Sequence, residues 1–141
     1  MTGSVKLTMP TWVDRELQQL PDTAGTLAER MQQVIDFSRL NIENGTGGPF
    51  AAMVFNQDTG QRVAVGVNRV VANECSSAHA EIMALSLAQR GLSAWDLGGE
   101  GMPRHQLVVN WRPCAMCYGA VVWSGVTSLV VAGSGPDRSR M

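Results

Sequence analysis

The stretch Ser76-Ser77-Ala78-His79-Ala80-Glu81-Ile82-Met83-Ala84-Leu85 decides how this sequence reads, once it is set beside Trp111-Arg112-Pro113-Cys114-Ala115-Met116-Cys117 further along the chain. Between them the two stretches hold an imidazole, a pair of thiols and a carboxylate. An imidazole and two thiolates supply the three donors that a catalytic zinc site takes from its protein, leaving the fourth position for water. Zinc lowers the pKa of water from about 15.7 toward 7, and two thiolates donate enough charge to weaken that effect. A base beside the metal is then needed. Glu81 is the candidate, placed to take the proton of the water and pass it to a leaving nitrogen.

The spacing adds geometry. Helical residues advance about 100° each, so Cys114 and Cys117 share one face of a helix. Pro113 suits the first position of that helix, whose positive end favours thiolate over thiol. His79 and Glu81 would diverge by about 200° within a regular helix. They converge only if His79 stands before regular geometry begins, which the loop and cap formers Ser76-Ser77 and the apolar run from Ile82 allow. Each half of the pattern alone has a plainer reading: His-x-Glu as the polar start of a helix, Cys-x-x-Cys as a redox dithiol or half of a structural zinc knuckle. The combination is what asks for water activation. A closed site with Cys75 as fourth donor is the alternative to Cys75 as a small buried or half-buried side chain.

Outward from these stretches, an extended arm runs to about Pro21, and Thr26 to Asn44 reads as a helix with Leu27, Met31, Val34, Ile35 and Ile42 on one side and Gly45 closing it. Strands are expected at 50–56 and 62–68, joined as a hairpin by Asp58-Thr59-Gly60. A helix follows from His79 to Arg90, then a Gly-rich loop, a strand over 106–110, the cysteine helix to Trp123 and a strand over 128–132. Strands crossed by helices predict an α/β fold, a three-layer α/β/α sandwich around a mixed sheet of at least four strands, with both ligand-bearing helices on one face and their N-termini meeting at the metal. The division expected is an arm at 1–25 and one domain at 26–141, since 141 residues at 45% hydrophobic suit a single core burying about two thirds of the unfolded surface.

Charge narrows the partners. The net charge is −1, Lys6 is the single lysine, and the arginines are scattered, which argues against nucleic acid or another polyanion. Three cysteines, two of them assigned to metal, suit a reducing cytoplasm. Pro10, Asp14 and Arg15 interrupt any apolar run after Lys6, so no signal peptide is expected, and no stretch approaches the roughly 20 apolar residues of a membrane span.

The same residues resemble the zinc-dependent cytidine/deoxycytidylate deaminase superfamily, in which the Glu is a general acid/base and not a ligand. Within it the chain is most similar to bacterial guanine deaminases, over Gly47-Gly48-Pro49-Phe50-Ala51-Ala52, Gly66-Val67-Asn68-Arg69-Val70, Ser77 to Ile82 and Cys114 to Trp123. The resemblance implies a cytidine-deaminase-like sandwich with Zn2+ on His79, Cys114 and Cys117, and Glu81 catalytic. It further implies that Asn68 bonds the purine, that Phe50 and Ala80 line the base site, and that Asp137 assists proton traffic. Without it, Asn68 could simply end a strand and Phe50 be core. The implied reaction is hydrolysis of guanine to xanthine and ammonia, with other aminated heterocycles such as triazines also suited. Alternatives are a cytosine, cytidine or tRNA-adenosine deaminase, or a non-catalytic zinc-binding protein with an incomplete pocket.

Two departures from the family pattern stand out. Arg112 occupies a position where the family usually has Glu, and the family continues past the fourth strand with further helices, a fifth strand and aromatic residues that close over the base, whereas this sequence ends at Met141. The last strand would then lie at an unpaired sheet edge, so a homodimer or a covering partner segment is expected. A shortened chain would bind zinc yet catalyse poorly, because an open pocket admits water.

Overall fold

In the computed structural model, which describes residues 2–133, strands β1 (Ala51–Asn56) and β2 (Arg62–Val67) form the expected antiparallel hairpin. Ala51 stands opposite Val67, and the register shifts between Val54 and Phe55. β3 (His105–Val109) pairs antiparallel with the other edge of β1, and β4 (Ser128–Val131) pairs parallel with β3. The sheet is therefore mixed, in the order β2-β1-β3-β4, which leaves β4 at an edge among the described residues.

Side chains alternate across β1 because successive Cβ atoms point to opposite faces. Ala51, Met53 and Phe55 enter one core, together with Val34 and Phe37 of helix α2 (Leu27–Glu43). Ala52 and Val54 enter the other, with Ala80, Ala84, Leu85 and Ala88 of α3 (Ala80–Gly91) and Val121 of α4 (Ala115–Ser124). Both faces of β1 are thus covered, as its near-continuous apolar sequence requires. The result is the three-layer α/β/α sandwich expected, with α3 and α4 together on one face.

Two expectations are corrected. The segment before Pro21 is not simply extended: Trp12–Leu17 forms helix α1, whose Trp12 and Val13 are buried in the first core. The Trp12 ring lies 5.5 Å from that of Phe37. A helix of 6 residues is too short to show a period in sequence. The inward face of α2 also differs from the one expected. Leu27, Ile35 and Ile42 are exposed, and the buried positions are Arg30, Val34, Phe37, Ser38 and Asn41. The polar groups face inward because each finds partners there. Arg30 donates to Ala24 O at 2.8 Å and to Gln106 Oε1 at 2.8 Å, and its guanidinium lies 5.5 Å from the Phe55 ring centre. The ends of α2 are as read: Thr26 Oγ1 accepts from Glu29 N, and Asn44 caps the other end, followed by Gly45.

No helix of the described residues is long and apolar enough to cross a membrane. What fixes α3 on the sheet is Gly66 in β2. A Cβ built there would come within 2.2 Å of Ala80 O and 2.4 Å of Ala84 N. Gly66→Ala is expected to cost about 1–3 kcal/mol or more by overpacking against backbone that cannot step aside. Gly91→Ala, which meets nothing within 4 Å, should leave stability unchanged or slightly raised. Urea midpoints of the two variants check this, and equal midpoints would remove the close approach as a constraint.

Candidate active site

The site grows from two helix N-termini. His79 is the N-cap of α3, with φ −69° and ψ 157°, so it is extended, and Glu81 lies in the first turn. That break in geometry lets the two side chains point the same way despite their spacing. The loop before them is pinned to the end of β2, where Arg69 N donates to Ala78 O at 2.9 Å. On α4 the N-cap is Cys114, with φ −71° and ψ 173°. Pro113 therefore precedes the cap and does not hold the first helical position, because the backbone becomes helical only at Ala115. Cys114 and Cys117 converge as N-cap and third residue, the same facing pair that forms a capping box.

Nδ1 of His79 lies 3.7 Å from Cys114 Sγ and 3.5 Å from Cys117 Sγ. All three donor atoms lie within 4.8 Å of one another. Tetrahedral zinc, with bonds of about 2.3 Å to sulfur and about 2.0–2.1 Å to nitrogen, holds such donors about 3.6 Å apart, so the residues fit this ion. Electrostatics agree. Burial, then the charge of Glu81, pushes the Cys117 thiol far above its ordinary range, and a dication is what would make that sulfur an anion. Cys75 stands apart from this cluster, with its sulfur 3.2 Å from Ser77 Oγ, so no closed four-donor site forms among the described residues. His105 is elsewhere as well, buried with Nδ1 2.7 Å from Leu97 O.

Glu81 is only 6% exposed. It lines a cavity of about 430 Å³ together with His79, Cys114, Ala80, Phe50 and Asn68, while Cys117 is buried. The structure thus gathers Phe50, Asn68, His79, Ala80, Glu81 and Cys114 around one space. Asp137 lies outside the described residues. Val70, Val71, Val109 and Trp111, not expected as lining, complete the wall with Gly48 and Arg112. Val109 and Trp111 sit where β3 ends, and the carboxyl ends of strands are where open α/β sheets bind ligands, a signal that could have found them.

Residues 26–133 match the profile of the cytidine and deoxycytidylate deaminase zinc-binding region. The chain belongs to that family. Zinc is accordingly its metal, in keeping with the donor geometry above. Among solved structures, guanine deaminase from Nitrosomonas europaea is 44% identical with a TM-score of 0.87, over 94% of this chain and 72% of that one. Guanine deaminase from Bacillus subtilis is 28% identical over 109 residues, which make up 77% of this chain and 65% of the relative. The chain therefore spans just under two thirds of that protein. A tRNA-specific adenosine deaminase from Buchnera aphidicola is 35% identical over 110 residues, 78% of this chain and 68% of the relative.

Replacing a buried donor tests the metal site directly. Cys117→Ala is expected to lower zinc from about one ion per chain to a small fraction of that after dialysis, and a chelator should lower the melting temperature of the parent protein but hardly that of the variant. Elemental analysis and thermal melts check this, and full zinc occupancy in the variant would place the ion elsewhere.

Proposed function

We propose that this deaminase-family chain hydrolyses an aminated purine base, with guanine to xanthine and ammonia as its preferred reaction. The observation that carries the reading is the buried carboxylate of Glu81 sharing a cavity with the His79 and Cys114 donors and, on its other walls, Asn68 and Phe50. In this reading His79, Cys114 and Cys117 would hold zinc, which would supply the Lewis acidity that eases the loss of a proton from water near neutral pH. Glu81 takes one proton of the attacking water on its carboxylate and delivers it to a ring nitrogen as the water oxygen bonds to the carbon bearing the amino group; it then carries the second proton, from the resulting hydroxyl, to the amine as the C–N bond breaks, so that one water is consumed and one ammonia released.

Asn68 has a defined polarity. Its Oδ1 accepts from Val70 N at 3.2 Å, so its amide N–H groups are the ones to offer a base, which must present an acceptor there. Ring nitrogens and the carbonyl oxygen of guanine are such acceptors. Phe50 gives the ring an apolar face, Ala80 a small wall, and the cavity volume lies within the roughly 300–1,000 Å³ of small-molecule pockets. The guanine deaminases of Nitrosomonas europaea and Bacillus subtilis favour guanine. The Buchnera relative favours a second reading, adenosine in tRNA, against which stand the net charge of −1 and the single lysine. Asp137 as an aid to proton traffic rests on the family resemblance alone.

Ammonia release measured across guanine, adenine, cytosine, cytidine and a tRNA anticodon hairpin tests the proposal, with guanine expected to turn over fastest. Glu81→Gln should keep its zinc and lose at least about 100-fold in kcat. A zinc-loaded protein that releases ammonia from none of these substrates would overturn the reading in favour of a non-catalytic zinc protein.

We also propose a homodimer acting in the cytoplasm. The cysteine helix supports it: Tyr118, Val122 and Trp123 are 57%, 69% and 81% exposed, a concentration of large apolar side chains on one short helix of the kind found at interfaces. Light scattering is expected to give twice the chain mass, and Trp123→Glu to return the monomer. A parent protein that stays monomeric at high concentration would end this reading.

A further inference from the structure

We propose that Asn41, which does not line the cavity, is the residue that positions its base-binding wall. The inference rests on the reading of Asn68 and Phe50 as base contacts. Asn41 is completely buried near the end of α2. Its Nδ2 donates one hydrogen to Gly48 O at 2.9 Å and the other to Asn68 O at 3.1 Å. Its Oδ1 accepts from Thr46 Oγ1 at 2.7 Å, and that hydroxyl oxygen accepts from Trp12 Nε1 at 2.9 Å. The amide orientation is thereby determined by its neighbours: two carbonyl oxygens demand the nitrogen side.

Gly48 and Asn68 lie just beyond the paired ends of β1 and β2, where Ala51 stands opposite Val67, and both line the cavity. One amide bridges them. The same two segments are joined again where Asn68 N donates to Phe50 O at 3.1 Å, so the bridge by Asn41 and this bond together fix both base contacts. There is no slack in the arrangement. A Cβ on Gly47 would fall 2.1 Å from Asn68 O and 2.6 Å from Asn41 Nδ2. From the far side Asn110 holds the same loop, accepting from Ala51 N at 2.9 Å and donating to Pro49 O at 3.0 Å. Asn110 thus bonds to Pro49 and Ala51 on one side of the gap, whereas the Asn41 side chain bonds to both sides, at Gly48 and at Asn68.

The chemistry of replacement follows. Asn41→Asp keeps the size and removes both donors, so that two carbonyl oxygens face another oxygen and the two segments separate. Asn41→Ser keeps a single donor, enough for one of the two carbonyls. Neither change touches zinc or Glu81, so the expected signature lies in base binding: KM for guanine raised about tenfold in Asn41→Asp and less in Asn41→Ser, with zinc content retained and kcat moved by less than KM.

The experiment is a double-mutant cycle with Asn68→Ala on the zinc-loaded protein, read as KM and kcat and, in a Glu81→Gln background, as guanine affinity without turnover. Because Asn41 acts in part through Asn68, adding Asn41→Asp to Asn68→Ala raises KM by clearly less than the product of the two single effects, the remainder passing through Phe50. Effects that multiply would overturn the inference. So would an unchanged KM with a lowered apparent kcat, which is what partial unfolding alone produces, and Asn41→Ser decides the same question should Asn41→Asp fail to fold. If Asn68→Ala itself leaves KM and affinity unchanged, the fault lies in the assignment of Asn68, and the inference falls with it. If Asn68→Ala raises KM while both Asn41 variants leave it alone, the positioning role fails by itself.

Discussion

The first turn of α3 lies against the backbone of β2 with nothing but the hydrogen of Gly66 between them, and the depth of the site is set there. A helix held that close carries its N-cap and first turn to the ends of the strands, where no side chain can intervene. His79 and Glu81 reach the cavity from that one placement, and α4, packed beside α3, brings its own N-terminus to the same point. Two helices whose positive ends meet create a place for negative charge, and the chain fills it with a carboxylate and two sulfurs.

Those three groups repel one another as anions, and this is where the metal enters the energetics. Cys117 is fully buried beside Glu81, and both circumstances oppose a thiolate. Removing the thiol proton therefore depends on a cation bound in the same place. The fold thus prepares the positions of the donors while leaving their charge state to the ion, which ties metal affinity to the packing of α3 and α4 and not only to the identity of the ligands.

Much of this was legible in the residues. The turn chemistry of Asp58-Thr59-Gly60 located the hairpin, and the angular argument about His79 and Glu81 correctly required His79 to stand outside the helix, because that argument depends only on backbone geometry. What escaped had long-range causes. The inward face of α2 is chosen by hydrogen bonds from Arg30 and Asn41 to groups distant in sequence, so apolar spacing alone pointed to Leu27, Ile35 and Ile42. Pro113 lies two positions outside the first helical place that its residue type suggests, because nothing local reveals that Cys114 remains extended. Val70, Val71, Val109 and Trp111 became cavity wall only when separate strand ends met.

The indole of Trp12 draws a different boundary from the one similarity draws. The matched family region begins at residue 26, yet the Trp12 ring packs on Phe37 and its N–H ends the relay that runs through Thr46 and Asn41 to the carbonyl of Asn68. A fragment excised at the limits of the matched region would leave a hydroxyl without its donor and a face of Phe37 open to water. The physical unit that supports the base pocket is larger than the unit recognisable by kinship.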